Sequence, residues 1–376
     1  MARVVVIGGG LSGLTAAFKL ARAKHRVLVV ESAPALGGQI QTERRAGFVV
    51  ELGGEGFVAR SEALPKLAHK LGIEAELMGQ AETRSLGFRD GELIELQPGE
   101  AAKLLGFQVA RDDEGQGIRT FRRGMGSLID ALQQKLASDV EIRTGFRVRQ
   151  IERRSREYEI RGDRGVSVLA ERLVIATAAR AAGELVAPML GTAAFAPDAL
   201  RTQSSVTISL AFPRGAIRHA LDATGCVIAA QDQLHGARAC AFCSTRFAER
   251  APEDYALLRV FIRPDPREIK TLSDASYVAR AHEVLSRIVG FNAAPAHGGG
   301  ALAAPAQRGG ALAPAEHSWV SRWPDALPVF DTATKQAVAT LETALKGSGI
   351  ALAGSAFHGS GIDAAVRSAW SVDERW

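Results

Sequence analysis

The sequence predicts an α/β chain in which a discontinuous parallel-sheet domain is interrupted by an α+β region with an antiparallel sheet. Three observations carry that expectation. The β-branched run from Arg3 breaks into glycines and passes through a helical pattern to a second apolar strand. A series of short β-rich segments fills the middle, and a strand, a glycine turn and a helix recur near the C-terminus. The chain has 376 residues, more than the roughly 100–200 of one ordinary domain, so two domains are expected.

Arg3-Val-Val-Val-Ile reads as a buried parallel strand and runs directly into Gly8-Gly-Gly10-Leu11-Ser12-Gly13. Leu14 to Ala23 then reads as a helix, and Arg26-Val-Leu-Val-Val30 as a second strand ending on Glu31. The result is G-x-G-x-x-G in a complete βαβ context. Gly8 permits the tight turn, Gly10 lets a pyrophosphate approach the backbone, and Gly13 lets helix and strand pack closely. The helix N-terminus supplies free N–H groups and positive dipole to the phosphates. Glu31 is placed to accept from a ribose diol and disfavours a 2′-phosphate. A Rossmann-like nucleotide site follows.

Ala35-Leu-Gly37-Gly38-Gln39-Ile-Gln-Thr42 adds a second glycine pair just beyond Glu31. This resembles the double-glycine motif of the amine oxidase and protoporphyrinogen oxidase superfamily of FAD enzymes, and the resemblance implies that Gly37, Gly38 and Gln39 touch non-covalently bound FAD. The covalent tether is absent from the sequence. Further along, Leu128, Leu132 and Leu136 mark an amphipathic helix, and Val140–Thr144 and Phe146–Glu152 read as strands. A hairpin follows around Gly162–Gly165, then a buried strand Arg172–Ala176 that breaks into Thr177. Ser204–Phe212, Gly225–Ala230, Ala237–Ser244 and Tyr255–Ile262 predict the antiparallel sheet, a floor over the isoalloxazine, and Leu272–Val289 a helix. Phe291–Glu316, rich in Ala, Gly and Pro with a two-copy near-repeat, reads as a surface loop.

Ser348–Gly354 predicts a further strand, and the turn through Gly361 opens a helix over Ile362–Trp370. In superfamily terms that helix points its N-terminus at the flavin N1 and C2 carbonyl. Asp363 reads equally as a cofactor contact or a helix cap. The resemblance makes Val148 the backbone contact to adenine. It also places Leu11, Ser12, Ser32, Gly53, Gly54, Thr177, Trp323, Gly354, Ser355, Gly361, Ile362, Asp363 and Ala364 in the cofactor set.

Segments spread along most of the chain narrow the resemblance to protoporphyrinogen oxidases. They are Gly37–Glu43, Phe88–Leu93, Arg123–Leu128, Ser244–Phe247, Leu257–Phe261, Arg322–Pro328 and Gly354–Ile362. The resemblance implies a hydride-accepting FAD oxidase or dehydrogenase of a small molecule, a porphyrinogen in the leading case, with oxygen or another acceptor reoxidising the flavin. Departures accompany it. Between Leu93 and Phe121 the family's long helical, membrane-docking insert is reduced to a short polar link. Gly53-Gly-Glu-Gly-Phe57 stands where the family reads Gly-Pro-Asp-Ser-Phe, and Ser355 and Phe357 replace the usual Asn and Tyr. Peripheral membrane contact is therefore not expected. An amine or secondary-metabolite oxidase is the alternative within the class, although Ser318–Trp323 lacks the amine-oxidase lysine. A non-catalytic FAD- or tetrapyrrole-binding homologue is the alternative outside it.

The expected division is 1–60, 118–185 and 330–376 for the FAD-binding domain, and 61–117 and 186–329 for the substrate domain, shortened at 94–120. Among catalytic candidates, Arg84 lies near the family's arginine for a substrate carboxylate, but by itself it reads as a surface arginine. His358 has the right intrinsic pKa for acid–base work. No partner is discernible around it, which favours a structural role.

Hydrophobic residues make up 47% and charged ones 23%, the balance of a globular chain. The net charge of +5, from 46 basic and 41 acidic residues, is spread without the basic–aromatic clustering that nucleic-acid binding needs, so no nucleic-acid partner is expected. Metal binding is not expected either, for want of ligand spacing. Neither a signal peptide nor a bilayer-spanning stretch is read. Cys226, Cys240 and Cys243 point to a reducing cytoplasm. Cys240-Ala-Phe-Cys243 has redox spacing but falls in an expected strand, where positions three apart face opposite ways.

Overall fold

A computed structural model describes residues 1–106, 116–190, 197–292 and 313–376. The five-stranded parallel sheet has the order Val140–Arg143, Arg26–Val30, Arg3–Ile7, Arg172–Ile175, Ile350–Leu352. Its first strand in sequence lies at the centre, so later strands are added on both sides of it, and a crevice is left at that switch point outside the strands' carboxyl ends.

Strand alternation explains why these runs are apolar throughout. Val4 and Val6 enter one core with the helices Leu11–Arg22, Ala63–Leu71, Gly126–Leu136 and Ile362–Trp370. Val5 and Ile7 enter another, shared with the three-stranded sheet of Val148–Arg154, Glu157–Gly162 and Ser167–Ala170 and with the helices Ala179–Leu190 and Thr332–Leu345. Both faces are covered, as a parallel sheet requires.

The second sheet has seven strands in the order His317–Pro328, Thr202–Pro213, Tyr255–Ile262, Ala237–Phe242, Gly225–Ile228, Leu86–Arg89, Glu92–Glu95. Five of its pairings are antiparallel, as expected, and one is not: Leu86–Arg89 runs parallel to Gly225–Ile228. Val206, Ile208, Leu210 and Phe212 pack on the helix Asp274–Ile288. The alternate face carries Gln203, Ser205, Thr207 and Ser209 and looks toward the parallel-sheet half, where Thr207 Oγ1 donates to Leu52 O at 3.0 Å.

Several sequence boundaries shift by the few residues that hydrogen-bond closure decides. The first helix begins at Leu11 rather than Leu14. The expected strand Ala237–Ser244 stops at Phe242, because Cys243–Arg246 coils into a four-residue helix. Most of the expected loop at 291–316 lies outside the described residues, as does part of the expected short link at 94–120. No helix of the described residues is long and apolar enough to cross a membrane.

Candidate functional site: a cofactor cavity between two sheets

A cavity of about 1620 Å³ runs across the carboxyl ends of the parallel strands. That exceeds the roughly 300–1,000 Å³ of an ordinary ligand pocket, leaving room for a dinucleotide and a substrate. Its walls follow the strand order. Glu31, Ser32 and Arg147–Arg149 stand at one end, Gly8 to Ser12 and Thr177 in the middle, and Gly354 to Ile362 with Trp323 at the other.

Local geometry makes the middle section. Gly8 turns at φ +110°, where a Cβ would lie 2.6 Å from Ala176 O. The second glycine loop is docked on the first, since the Gly37 N–H donates to Gly9 O at 2.8 Å. A Cβ at Gly10 would meet nothing closer than 3.8 Å, so the absence of a side chain there leaves open a cradle at the helix N-terminus, shaped for a pyrophosphate. Glu31 is fixed by the backbone N–H groups of Gly9 and Ala33, both 2.7 Å away, and by the Ser32 hydroxyl. A carboxylate has about four acceptor sites and three are taken, so about one remains for a ribose hydroxyl. At the far end Ile362–Trp370 starts at Gly361, and its first internally paired N–H belongs to Ala365. The preceding N–H groups are the unpaired ones of a helix start, with positive dipole toward the cavity. These residues fit an extended flavin dinucleotide.

Of the expected cofactor residues, Gly8, Gly10, Leu11, Ser12, Glu31, Ser32, Gly37, Gly38, Gln39, Gly54, Val148, Thr177, Trp323, Gly354, Ser355, Gly361 and Ile362 line this cavity. Four do not. Gly13 and Gly53 are packing glycines, since a Cβ on either would lie 1.8 Å from a carbonyl oxygen, of Gly8 and Gln39 respectively. Ala364 is buried in the core. Asp363 turns away to accept from Leu64 N–H at 3.0 Å and from Ser61 and Arg367. It therefore caps the helix Ala63–Leu71, a role that neither sequence reading foresaw.

The catalytic candidates also lie elsewhere. Arg84 pairs with Asp222 at 2.8 Å and lines neither described cavity. His358 does have partners, contrary to the sequence reading: its ring meets Ser368 Oγ and Glu342 Oε1, each at 2.6 Å. The order Glu–His–Ser resembles a nucleophilic triad, but Ser368 is 2% exposed and its oxygen accepts from Gly354 N–H at 2.8 Å. The chain of bonds therefore holds the Gly354 turn against the cavity and presents no nucleophile to it.

The antiparallel sheet supplies the opposite wall and clamps the Leu52–Gly54 segment. Trp323 Nε1 donates to Leu52 O at 2.9 Å, and the Arg259 guanidinium donates to Leu52 O and Gly53 O at 3.2 and 2.7 Å. Gln39 Nε2 reaches across to Ala326 O at 2.8 Å. Behind this segment lies a buried charge cluster. Burial pushes Glu55 up, but Arg246, 2.7 Å away, and Arg259 outweigh it and hold the carboxyl below its ordinary value. Glu51 goes the other way, because burial raises it to about 7 despite Arg250 and hydrogen bonds from Thr42 and Met125.

Sequence reasoning missed the cavity's cations, Arg147, Arg149, Arg238, Arg263, Arg322 and Lys335. Of these, Arg322 alone falls in a segment that carries the family resemblance, and only the fold gathers them. It also missed that Cys240 faces Cys226, Sγ to Sγ 3.4 Å across paired strands, rather than Cys243. All three cysteines are free and buried; the hydrogen bond to Cys240 with burial holds the Cys226 thiol, and burial beside Glu55 the Cys243 thiol, well above the usual range. No cluster of three potential metal ligands occurs among the described residues.

A dinucleotide cavity with a second glycine loop at its pyrophosphate section and a second helix start at its far end defines an FAD-dependent oxidoreductase. The sharper assignment comes from sequence. Residues 91–372 match the model of the flavin containing amine oxidoreductases, so the chain belongs to that family. Residues 6–71 match the NAD(P)-binding Rossmann-like domain. A coproporphyrinogen III oxidase of Bacillus subtilis (strain 168) is 22% identical over 468 residues, covering 96% of this chain and 94% of the relative. That span exceeds the chain's 376 residues, so the relative carries segments without counterpart here. Among solved structures, a candidate protoporphyrinogen oxidase from Exiguobacterium sp. 255-15 superposes with TM-score 0.80 at 19% identity over 99% of this chain and 98% of that one. Cyclohexylamine oxidase from Brevibacterium oxydans IH-35A gives 0.70 at 13% over 99% and 98%. These two likenesses establish the fold.

Proposed function

We propose that the chain oxidises a porphyrinogen, coproporphyrinogen or protoporphyrinogen, to the porphyrin, with residues 1–60, 118–185 and 330–376 holding FAD non-covalently and the antiparallel half holding substrate. The observation that carries this reading is the end-to-end likeness to the coproporphyrinogen III oxidase, which spans both sheets and not the nucleotide motif alone. The proposed compartment is the cytoplasm, consistent with three unpaired thiols.

When bound, FAD supplies an acceptor for a hydride leaving a substrate carbon. The rest falls to the protein. Glu31 and the Gly8–Ser12 turn anchor the nucleotide, and the start of Ile362–Trp370 stabilises negative charge at the redox end. The antiparallel sheet positions the substrate carbon. Hydride transfer depends mainly on such proximity and orientation. The test is aerobic turnover of coproporphyrinogen III and protoporphyrinogen by the purified yellow protein, followed by porphyrin fluorescence. Fluorescence above the non-enzymatic rate supports the reading, and flavin bleached by amines alone contradicts it. The amine alternative draws on fold neighbours such as cyclohexylamine oxidase.

A further inference from the structure

Where the cofactor cavity meets a second one, two cations stand without acids. The second cavity, of about 320 Å³, is walled by Leu86, Gly225, Ala239, Ala241 and Phe261. Leu105, Gln203, Arg238, Arg263 and Leu327 line both spaces, so the two are continuous. Arg246 at the same wall is committed to Glu55. Other arginines nearby are likewise paired, Arg84 with Asp222 and Arg322 with Asp274. Arg238 and Arg263 have no carboxylate in ion-pair reach among the described residues. Partial desolvation and the like charge of Arg238 hold the largely exposed Arg263 below the usual arginine range.

The backbone keeps this repulsive pair together. The pairing of Ala237–Phe242 with Tyr255–Ile262 skips Arg238, the extra residue of a bulge between Ala237 and Ala239. Bulges re-aim a side chain and recur beside active sites. Next to it the Arg263 N–H donates to Gly236 O at 2.9 Å, and Gly236 turns at φ +75° where a Cβ would lie 2.4 Å from Arg263 O. Two guanidinium groups lining the junction of both cavities repel each other, and an anion between them would relieve that repulsion. Arginine forks match a carboxylate bidentately.

We propose that Arg238 and Arg263 form a carboxylate clamp, taking an anionic substrate by its acid group, laying its apolar body in the 320 Å³ cavity and turning its oxidisable carbon to the cofactor cavity. The clamp also selects against amines, whose cationic heads it repels. Only the identity of the substrate as a carboxylated tetrapyrrole precursor rests on the proposed function. Anion capture by the pair does not.

The test titrates the flavin-loaded protein with benzoate and with coproporphyrin III, following the flavin spectrum and equilibrium dialysis, with benzylamine as cationic control. Arg238→Gln and Arg263→Gln should each weaken benzoate and coproporphyrin binding by about tenfold, and the double variant by about a hundredfold. Flavin content should stay unchanged, Arg238→Lys should recover part of the loss, and benzylamine should bind no worse. For porphyrinogen turnover the loss should fall on KM rather than kcat. Should Arg238→Gln fail to fold, the exposed Arg263 decides through its own variant. Benzoate binding equal in parent and variants, or absent from the parent, overturns the clamp. Porphyrinogen turnover with unchanged KM in both variants also overturns it and leaves the proposed function standing. Anion binding lost in the variants while no porphyrinogen reduces the flavin sustains the clamp and removes the proposed substrate.

Discussion

The two sheets meet their ligands by different means. On the parallel sheet the cavity is walled by backbone: glycine turns, helix starts and one carboxylate itself tied to N–H groups. On the antiparallel sheet the same space is walled by side chains, with Trp323 and Arg259 clamping Leu52–Gly54 and Arg238 and Arg263 at the rim. A site built from backbone is fixed by where side chains are forbidden. A site built from long side chains can be retuned one residue at a time while the fold persists. The first suits a constant cofactor and the second a variable substrate.

The sharpest way to break this contrast is at the glycines. Gly13→Val drives a side chain into Gly8 O, beyond the roughly 1–3 kcal/mol of ordinary overpacking, and should yield neither folded nor yellow protein. Gly10→Val adds a Cβ with no neighbour inside 3.8 Å, so the protein should fold with a near-parental apoprotein melting point yet purify colourless. If both variants keep their flavin, the cradle is misplaced.

Next comes the seam between the halves. Arg259 is 1% exposed and donates to two carbonyls. Arg259→Met removes that anchor and a cation from beside Glu55, so urea unfolding should show a loss of about 3–5 kcal/mol, with weaker flavin retention. An unchanged midpoint would mean that the seam is held elsewhere.

Glu51 offers a pH test. Its folded pKa, about 7, lies above the 4.5 of an unperturbed glutamate. A raised carboxyl contributes stability that is fully present below about pH 4.5 and is lost as pH rises through about 7. Glu51→Gln should therefore flatten the fall in stability across that window, a difference of up to about 3 kcal/mol. Parallel pH profiles for parent and variant would contradict the assignment. The smallest effect belongs to Arg84, whose exposed ion pairs contribute about 0–1 kcal/mol. Arg84→Ala should leave kcat/KM within about twofold of the parent, whereas a drop as large as that of the Arg263 variant would return it to the substrate site.

The same contrast explains what the sequence could disclose. Gly8, Gly10 and Glu31 act through local spacing, so strand, turn and helix could be read in order, and 17 of the 21 expected cofactor positions line the cavity. Gly13 lets helix and strand pack, as its place in the motif implies, whereas Gly53 packs against Gln39 O instead of lining the cavity. Asp363 misled because its partner, the N–H of Leu64, lies about 300 residues away on another helix. The partners of His358 sit 10 and 16 residues off, on two different helices, and no local pattern joins them. Arg238 sits at a bulge and Arg263 directly follows the paired strand Tyr255–Ile262, an arrangement that leaves no periodic trace in Ala237–Phe242.

Anaerobic mixing with coproporphyrinogen III, following the visible flavin band, tests the central claim most directly. Each porphyrinogen gives up six electrons on becoming a porphyrin, so substoichiometric substrate should bleach the bound flavin while porphyrin fluorescence rises in step. Flavin that stays oxidised under excess coproporphyrinogen and protoporphyrinogen, yet bleaches with an amine, would contradict the account.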